Sequence, residues 1–270
     1  MERPEETIEF WGQFEKSDLM ARCAALHEQR RTAAEAKGGE EIAIVRRTLA
    51  HLFIKGKGIE VGAGSRPFPI PAHATCYYGD IRDRGQLAEY FDTDAVTVSG
   101  RVDAQTLDGV LHESLDFIIS AHVIEHLYDP LGALKAAILR LKKGGVFILV
   151  APELSQTWDR RRPPTELSHV LKDELDGGAS TRLQAYIEHC RYVHPEMTGE
   201  TLPEADIDRL ARQTMADGMD LHVHAWPEAN FFEMVQFVAK QMDCTIKARM
   251  SVVNENLYVL CRNLQSKLEP

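Results

Sequence analysis

The sequence K-G-I-E-V-G-A-G-S-R-P-F at 57–68, with Y-Y-G-D-I at 77–81 and V-D-A-Q-T-L at 102–107, decides the fold. It reads as a strand, a glycine turn, a second strand closed by an acid, and a third segment bearing another acid. Ile59 and Val61 favour extended backbone, while Gly62 and Gly64 permit unusual backbone angles and the close approach a cofactor needs. Asp80 stands about where an α/β nucleotide fold sets a carboxylate to take hydrogen bonds from ribose hydroxyls. Asp103 follows V-T-V-S-G-R-V, where a third strand could present it to an adenine amino group. A pair of glycines is weak evidence; the ordered set is much stronger.

Outward from this stretch, strands are predicted at Gly58–Val61, Thr75–Ile81, Ala95–Val98, Leu115–Ser120 and Gly145–Ala151. Between the last two lies the best-specified helix of the chain. Asp129 caps it, Pro130 suits its first turn, Leu131, Leu134, Ile138 and Leu141 form its apolar stripe, and Gly144 ends it. Strand–helix–strand with nearly continuous apolar strands means an α/β fold with a mostly parallel, covered sheet. The run S-R-P-F-P-I-P after Gly64 forces extended backbone before each proline, so a loop, not a long helix, is expected there. Helical spacing marks residues 5–55, broken at Gly38-Gly39; residues 1–55 are read as a helical cap over the cofactor pocket or as helices packed on the sheet edge. Residues 154–226 form a helical insert after strand five, with helices expected around Leu183–Tyr192 and Asp206–Met215. A helix from Glu228 and two strands, Thr245–Val253 and Leu257–Cys261, then complete the core of 56–153 with an antiparallel hairpin over 227–270.

The 270 residues carry a net charge of −10, which argues against broad nucleic-acid binding. No apolar run reaches the length of a membrane span, and M-E-R-P-E-E lacks a signal-peptide core, so neither a membrane nor a secretory role is expected. The five cysteines are scattered and lack a C-x-x-C pair, which suggests free thiols and a cytoplasmic setting.

These residues resemble the class I S-adenosylmethionine-dependent methyltransferases over roughly Ile42–Glu153 and Ala229–Arg262. The resemblance rests on E-V-G-A-G at 60–64, L-D-F-I-I-S-A-H-V-I-E-H-L-Y-D-P-L-G-A-L at 115–134, L-K-K-G-G-V-F-I-L-V-A-P at 141–152, and the terminal strand pair. It implies a Rossmann-like, mostly parallel seven-stranded sheet with an antiparallel last strand. It also implies a cofactor set: Glu60, Gly62, Ala63 and Gly64 by the methionine portion, Asp80 and Ile81 at the ribose, Asp103 and Ala104 at the adenine, and Ser120, Ala121 and His122 at the fourth strand's end. D-R-R-R-P-P-T-E-L-S-H at 159–169 and L-H-V-H-A-W at 221–226 resemble segments of bacterial enzymes found with sugar- and polysaccharide-modifying proteins, which hints at the acceptor class.

Methyl transfer from a sulfonium is an in-line displacement in which the protein positions the acceptor and shields the site; a hydroxyl acceptor also profits from a general base. His122, His169 and His222 are the candidate bases. His126 reads as a structural residue tying its helix to a neighbouring backbone group. His222 and His224 alternate, so on a strand they share a face. With Asp159 or His169 they could hold a divalent metal, or simply line the acceptor pocket. Arg160, Arg161 and Arg162 are either a solvated face or a grip on an anionic acceptor, Arg162 being the candidate contact. Trp226 stacks on an acceptor ring or packs. The partner is thus a small-molecule or sugar acceptor. Two other readings remain open. One is a nicotinamide-dependent oxidoreductase, disfavoured by Pro67 where G-x-G-x-x-G needs glycine. The other is a catalytically silent protein that binds S-adenosylmethionine.

Overall fold

A computed structural model describes residues 38–264. The expected helices over 5–37 lie outside the described residues. The chain divides into two units, Met1–Ile44 and Val45–Pro270. Of the first, residues 38–44 are described and are helical. All that follows concerns the second.

Seven strands form one sheet: β1 (Gly56–Val61), β2 (Ala74–Asp80), β3 (Gly100–Arg101), β4 (Leu115–Ala121), β5 (Leu141–Pro152), β6 (Cys244–Val252) and β7 (Glu255–Arg262), in the order β3-β2-β1-β4-β5-β7-β6. β1 to β5 run parallel, and β7 is antiparallel to both β5 and β6. The expected Rossmann-like sheet with its reversed last strand is therefore present. The hairpin supplies the expected antiparallel edge, with β7 paired to β5 and β6 outermost. The residue types explain why. Leu257–Leu260 are all buried, as a strand covered on both faces requires, whereas β6 alternates half-buried and exposed positions, as an edge strand does.

The period-two geometry of a strand divides the core. Ile118, Phe147, Leu149, Ala151, Tyr258 and Leu260 point to one face. There α3 (Pro130–Arg140) and α8 (Glu228–Gln241) cover them with Leu131, Leu134, Ile138, Phe231 and Val235. Phe117, Ile119, Val146, Ile148, Val150, Leu257 and Val259 point to the other, beneath α1 (residues 45–53) and Phe68. The end of α3 and the third strand depart most from expectation. α3 stops at Arg140 because Leu141 is needed in extended backbone in the first core face, and Gly144 (φ +80°) instead shapes the start of β5. The third strand is only Gly100–Arg101 rather than 95–98.

The proline-rich run after Gly64 is a loop, as its extended backbone demands, and no helix joins β1 to β2. Phe68, 1% exposed, fills the second core face there. The Glu60 carboxylate, equally buried, accepts the Phe68 N–H on both oxygens at 2.9 and 3.0 Å. Glu60 thus anchors the loop from beneath the sheet's rim.

Burial pushes the Glu60 carboxyl up from 4.5 to about 7, against the opposing pull of the Phe68 N–H and Arg46. A folded-state value above the unfolded one favours folding most below about pH 4.5, and that contribution is lost as pH rises through 7. Urea unfolding at pH 5 and pH 8 should show Glu60→Gln losing less stability over this interval than the native chain, by up to about 3 kcal/mol. Equal losses in both proteins would contradict this.

Candidate active site

The strand order reverses between β1 and β4, and a crevice opens beyond the C-terminal strand ends at such a switch point. It forms a cavity of about 480 Å³. One half is bounded by Gly62, Asp80, Ile81, Val102, Asp103 and Ala104, with Leu87, Tyr90 and Phe91 from α2 (Arg84–Phe91). Gly62 has φ +69°, and a Cβ there would lie 2.4 Å from Val123 Cγ2, so only glycine leaves room. Asp80 Oδ1 accepts the Arg82 N–H at 2.9 Å and Asp103 Oδ1 accepts the Gln105 N–H at 2.8 Å, local turns that hold each acid at its strand end.

The other half is built from the turn after β4 and from the insert. His122 extends the ladder by donating its N–H to Val150 O at 3.0 Å, then turns the chain with φ +56°. A 3₁₀ turn follows, Ile124–His126. The insert comprises α4 (Leu167–Asp176), α5 (Arg182–Glu188), α6 (His194–Thr198) and α7 (Glu204–Ala216), and its returning segment brings Met219–Val223 to the cavity. The Glu125 carbonyl holds that segment by accepting the N–H groups of Val223 and His224 at 2.8 and 3.0 Å.

Three imidazoles converge here, each with one nitrogen bound to a carboxylate. His122 Nε2 is 2.9 Å from Glu255, His126 Nδ1 2.8 Å from Asp220 and His222 Nδ1 2.5 Å from Asp159. Burial alone would raise those three carboxyls. Hydrogen bonds from the histidines, with Arg46 beside Glu255, Arg82 beside Asp220 and Arg162 beside Asp159, outweigh it and hold all three below their usual range. Each carboxylate accepts one imidazole N–H, and the other ring nitrogen of each histidine lies on the far side of its ring. All three free nitrogens face Glu125: His122 Nδ1, His126 Nε2 and His222 Nε2 lie 3.7, 3.9 and 4.0 Å from its Oε1. Glu125 is fully buried, and neither of its carboxylate oxygens has a hydrogen-bond partner.

The chain matches the model of a methyltransferase domain over residues 26–232. It belongs to that family. The sheet topology is that of the class I S-adenosylmethionine-dependent methyltransferases. Among solved structures it is similar to a protein from Pyrococcus horikoshii (16% identity, 83% of this chain and 90% of that one, TM-score 0.45). It is also similar to SAM-dependent methyltransferases from Methanosarcina mazei (15%, 80% and 97%, 0.44) and Aquifex aeolicus (10%, 80% and 89%, 0.43). These likenesses are distant. No curated protein matches the sequence. Among the described residues no helix is long and apolar enough to cross a membrane.

In this methyltransferase the residues singled out from sequence separate into two groups. Gly62, Asp80, Ile81, Asp103, Ala104, His122 and His222 line the cavity, whereas Glu60, Ala63, Gly64, Ser120 and Ala121 lie behind it. His222 and His224 do not share a face, because 221–226 is not a strand. His224 is turned inward, wholly buried, onto Asp173 Oδ2 at 2.9 Å and stacked on Trp226. His169 sits beside that pair, away from the cavity lining. Trp226, 2% exposed, packs on Phe231. Arg160 and Arg161, both exposed, share the single carboxylate of Glu196, and Arg162 is buried.

Residues the sequence reading passed over include Glu125, Asp220, Tyr128, Tyr186 and Met219. Glu125 gave no periodic signal, because His122 turns the chain with a left-handed backbone before the 3₁₀ turn begins at Ile124. Asp220 had none, its partners His126 and Arg82 being 94 and 138 residues away in sequence.

Arg162 positions His222. Its guanidinium donates to Asp159 Oδ1 (3.0 Å), His222 O (2.6 Å), Val223 O (2.9 Å) and Glu188 Oε2 (3.1 Å). Removing it takes the arginine donor from one buried and one half-buried carboxylate and from two carbonyls. Arg162→Met should lower unfolding free energy by about 3–5 kcal/mol in chemical denaturation. A loss below about 1 kcal/mol, the range of a surface pair, would contradict this role.

Proposed function

We propose that the cavity binds S-adenosylmethionine in its first half and transfers the methyl group to a hydroxyl or amine of a small-molecule or sugar acceptor held in its second half. The observation that carries this reading is the shared cavity: carboxylates from two neighbouring strand ends on one side, and the histidine array of β4 and the insert on the other. The donor half suits the nucleoside in three ways. Gly62 leaves a space a Cβ would fill, Asp80 and Asp103 offer acceptors for ribose hydroxyls and an adenine amino group, and Leu87, Val102 and Ala104 give an apolar floor. When bound, the donor supplies a methyl carbon made electrophilic by positive sulfur.

The chain's own residues do the rest. His122 is the base in this reading: Glu255, fixed by Arg46 at 2.5 Å, takes the Nε2 hydrogen and leaves Nδ1 to receive the acceptor's proton at the cavity. Tyr128, Tyr186, Met219 and Leu221 give the acceptor half an apolar, partly aromatic wall, and Tyr186 fixes the Met219 carbonyl at 2.9 Å. The lining acids Asp80, Asp103, Glu125 and Asp220 outnumber Arg82, whose guanidinium is engaged by Asp220 and Tyr90. An acceptor that is neutral or cationic at its reacting end suits this field better than an anion. In domain terms, 56–153 and 227–270 bind the donor and 154–226 selects the acceptor.

Calorimetric titration with S-adenosylhomocysteine tests the donor half. Asp80→Ala should weaken binding about 10- to 100-fold, the loss of a charge-assisted hydrogen-bond acceptor. Gly62→Val should abolish binding while the far-ultraviolet circular dichroism stays native. Unchanged affinity in both variants would remove the donor assignment.

A further inference from the structure

We propose that Glu125, His126 and His222 form a binding site for one divalent transition-metal cation, with His122 beside its open side. The reading begins with the buried Glu125 carboxylate. A carboxylate with no exposure and no hydrogen-bond partner on either oxygen is costly to fold around, and it asks for a cationic occupant.

The surroundings are built for one. The ligand atoms of Glu125, His126 and His222 all lie within 4.8 Å of one another. The imidazole nitrogens stand 3.9 and 4.0 Å from Glu125 Oε1, too far for a hydrogen bond. Two ligands about 2.1 Å from one tetrahedral ion are roughly 3.4 Å apart, so a contraction of about half an ångström brings each imidazole to ligand spacing from Glu125. The rings also carry the outer partners that metal-binding histidines need. Asp220 and Asp159 hold the far nitrogens of His126 and His222, fixing each ring's tautomer and direction.

A second group, His169, Asp173 and His224, lies nearby in the insert. There the carboxylate is already satisfied, by Thr181 on one oxygen and His224 on the other. The unpartnered carboxylate selects the first cluster.

Two imidazoles and one carboxylate favour zinc, iron, cobalt or nickel over magnesium and calcium, which prefer all-oxygen shells. The remaining coordination position faces the cavity. Resting on the methyl-transfer reading, the substrate class follows: an acceptor whose hydroxyl oxygen ligates the cation, is acidified by it, passes its proton to His122 and bonds the methyl carbon as the carbon–sulfur bond breaks and S-adenosylhomocysteine leaves with the electron pair.

The test uses the full chain, stripped with chelator and titrated with cobalt(II) alone, then with zinc(II) and magnesium(II). Expected is one equivalent of cobalt with visible d–d absorption of a low-coordinate nitrogen–oxygen site, displaced by zinc and untouched by magnesium. Glu125→Gln and His222→Ala should lose the band, Asp159→Asn should weaken binding about 10- to 100-fold, and His169→Ala should leave it unchanged. Retained S-adenosylhomocysteine binding in Glu125→Gln shows that the donor site is intact, which separates this site's failure from failure of the donor reading. Absence of a cobalt band in the native chain would overturn the proposal. So would a band lost in His169→Ala but kept in Glu125→Gln and His222→Ala.

Discussion

Glu125 does two opposite things with its two ends, and the second half of the cavity depends on both. Its backbone carbonyl is saturated, taking the N–H groups of Val223 and His224 and so tying the end of the insert to the turn after β4. Its carboxylate is buried and receives none. The first feature delivers His222 to the cavity; the second makes the point where three imidazole nitrogens converge. An isolated carboxylate in such a place would be expelled or satisfied elsewhere. Here the fold is braced around it by Asp159, Asp220 and Glu255, and these in turn by Arg162, Arg82 and Arg46.

The sheet makes this economical. β4 is buried from Phe117 to Ser120 and β5 from Gly145 to Pro152, so their C-terminal ends are firm points from which short turns can aim side chains. The left-handed residue at the end of β4 is a histidine, not a glycine. That choice carries a conformational penalty, and the bond from its N–H to Val150 holds it in place. The loop after β1 shows the opposite economy. Where a helix would otherwise stand, alternate prolines and one buried phenylalanine cover the sheet, with Glu60 as the anchor.

Much of this was legible in the sequence, and what was not has a physical reason. Strand periodicity, the Asp129–Pro130 cap and the buried runs of β4 and β5 are local signals, and they gave the layers and the order of elements. The same rules misplaced the end of α3, because Leu141 is claimed by the sheet, a tertiary demand that overrides the glycine signal four residues later. In the site, the residues at strand ends were readable: Gly62, Asp80, Asp103 and His122 all reach the cavity. The insert was not. His224 and Trp226 read as acceptor contacts because they are polar or aromatic and lie close in sequence to His222, and Arg162 because it belongs to the basic run after strand five. Burial turned each of them into support for the wall. Glu125 was overlooked because a carboxylate inside an apolar turn gives no periodic signal; its meaning lies in what surrounds it in space.

The proposed reaction requires one cavity to serve donor and acceptor together, with His122 at the seam. A crystal structure of the protein with S-adenosylhomocysteine measures this directly. The ribose should lie against Asp80, the adenine beside Asp103 and Ala104, and the sulfur should point toward the histidines around Glu125. A nucleoside bound elsewhere, or one whose sulfur faces away from His122, would contradict it.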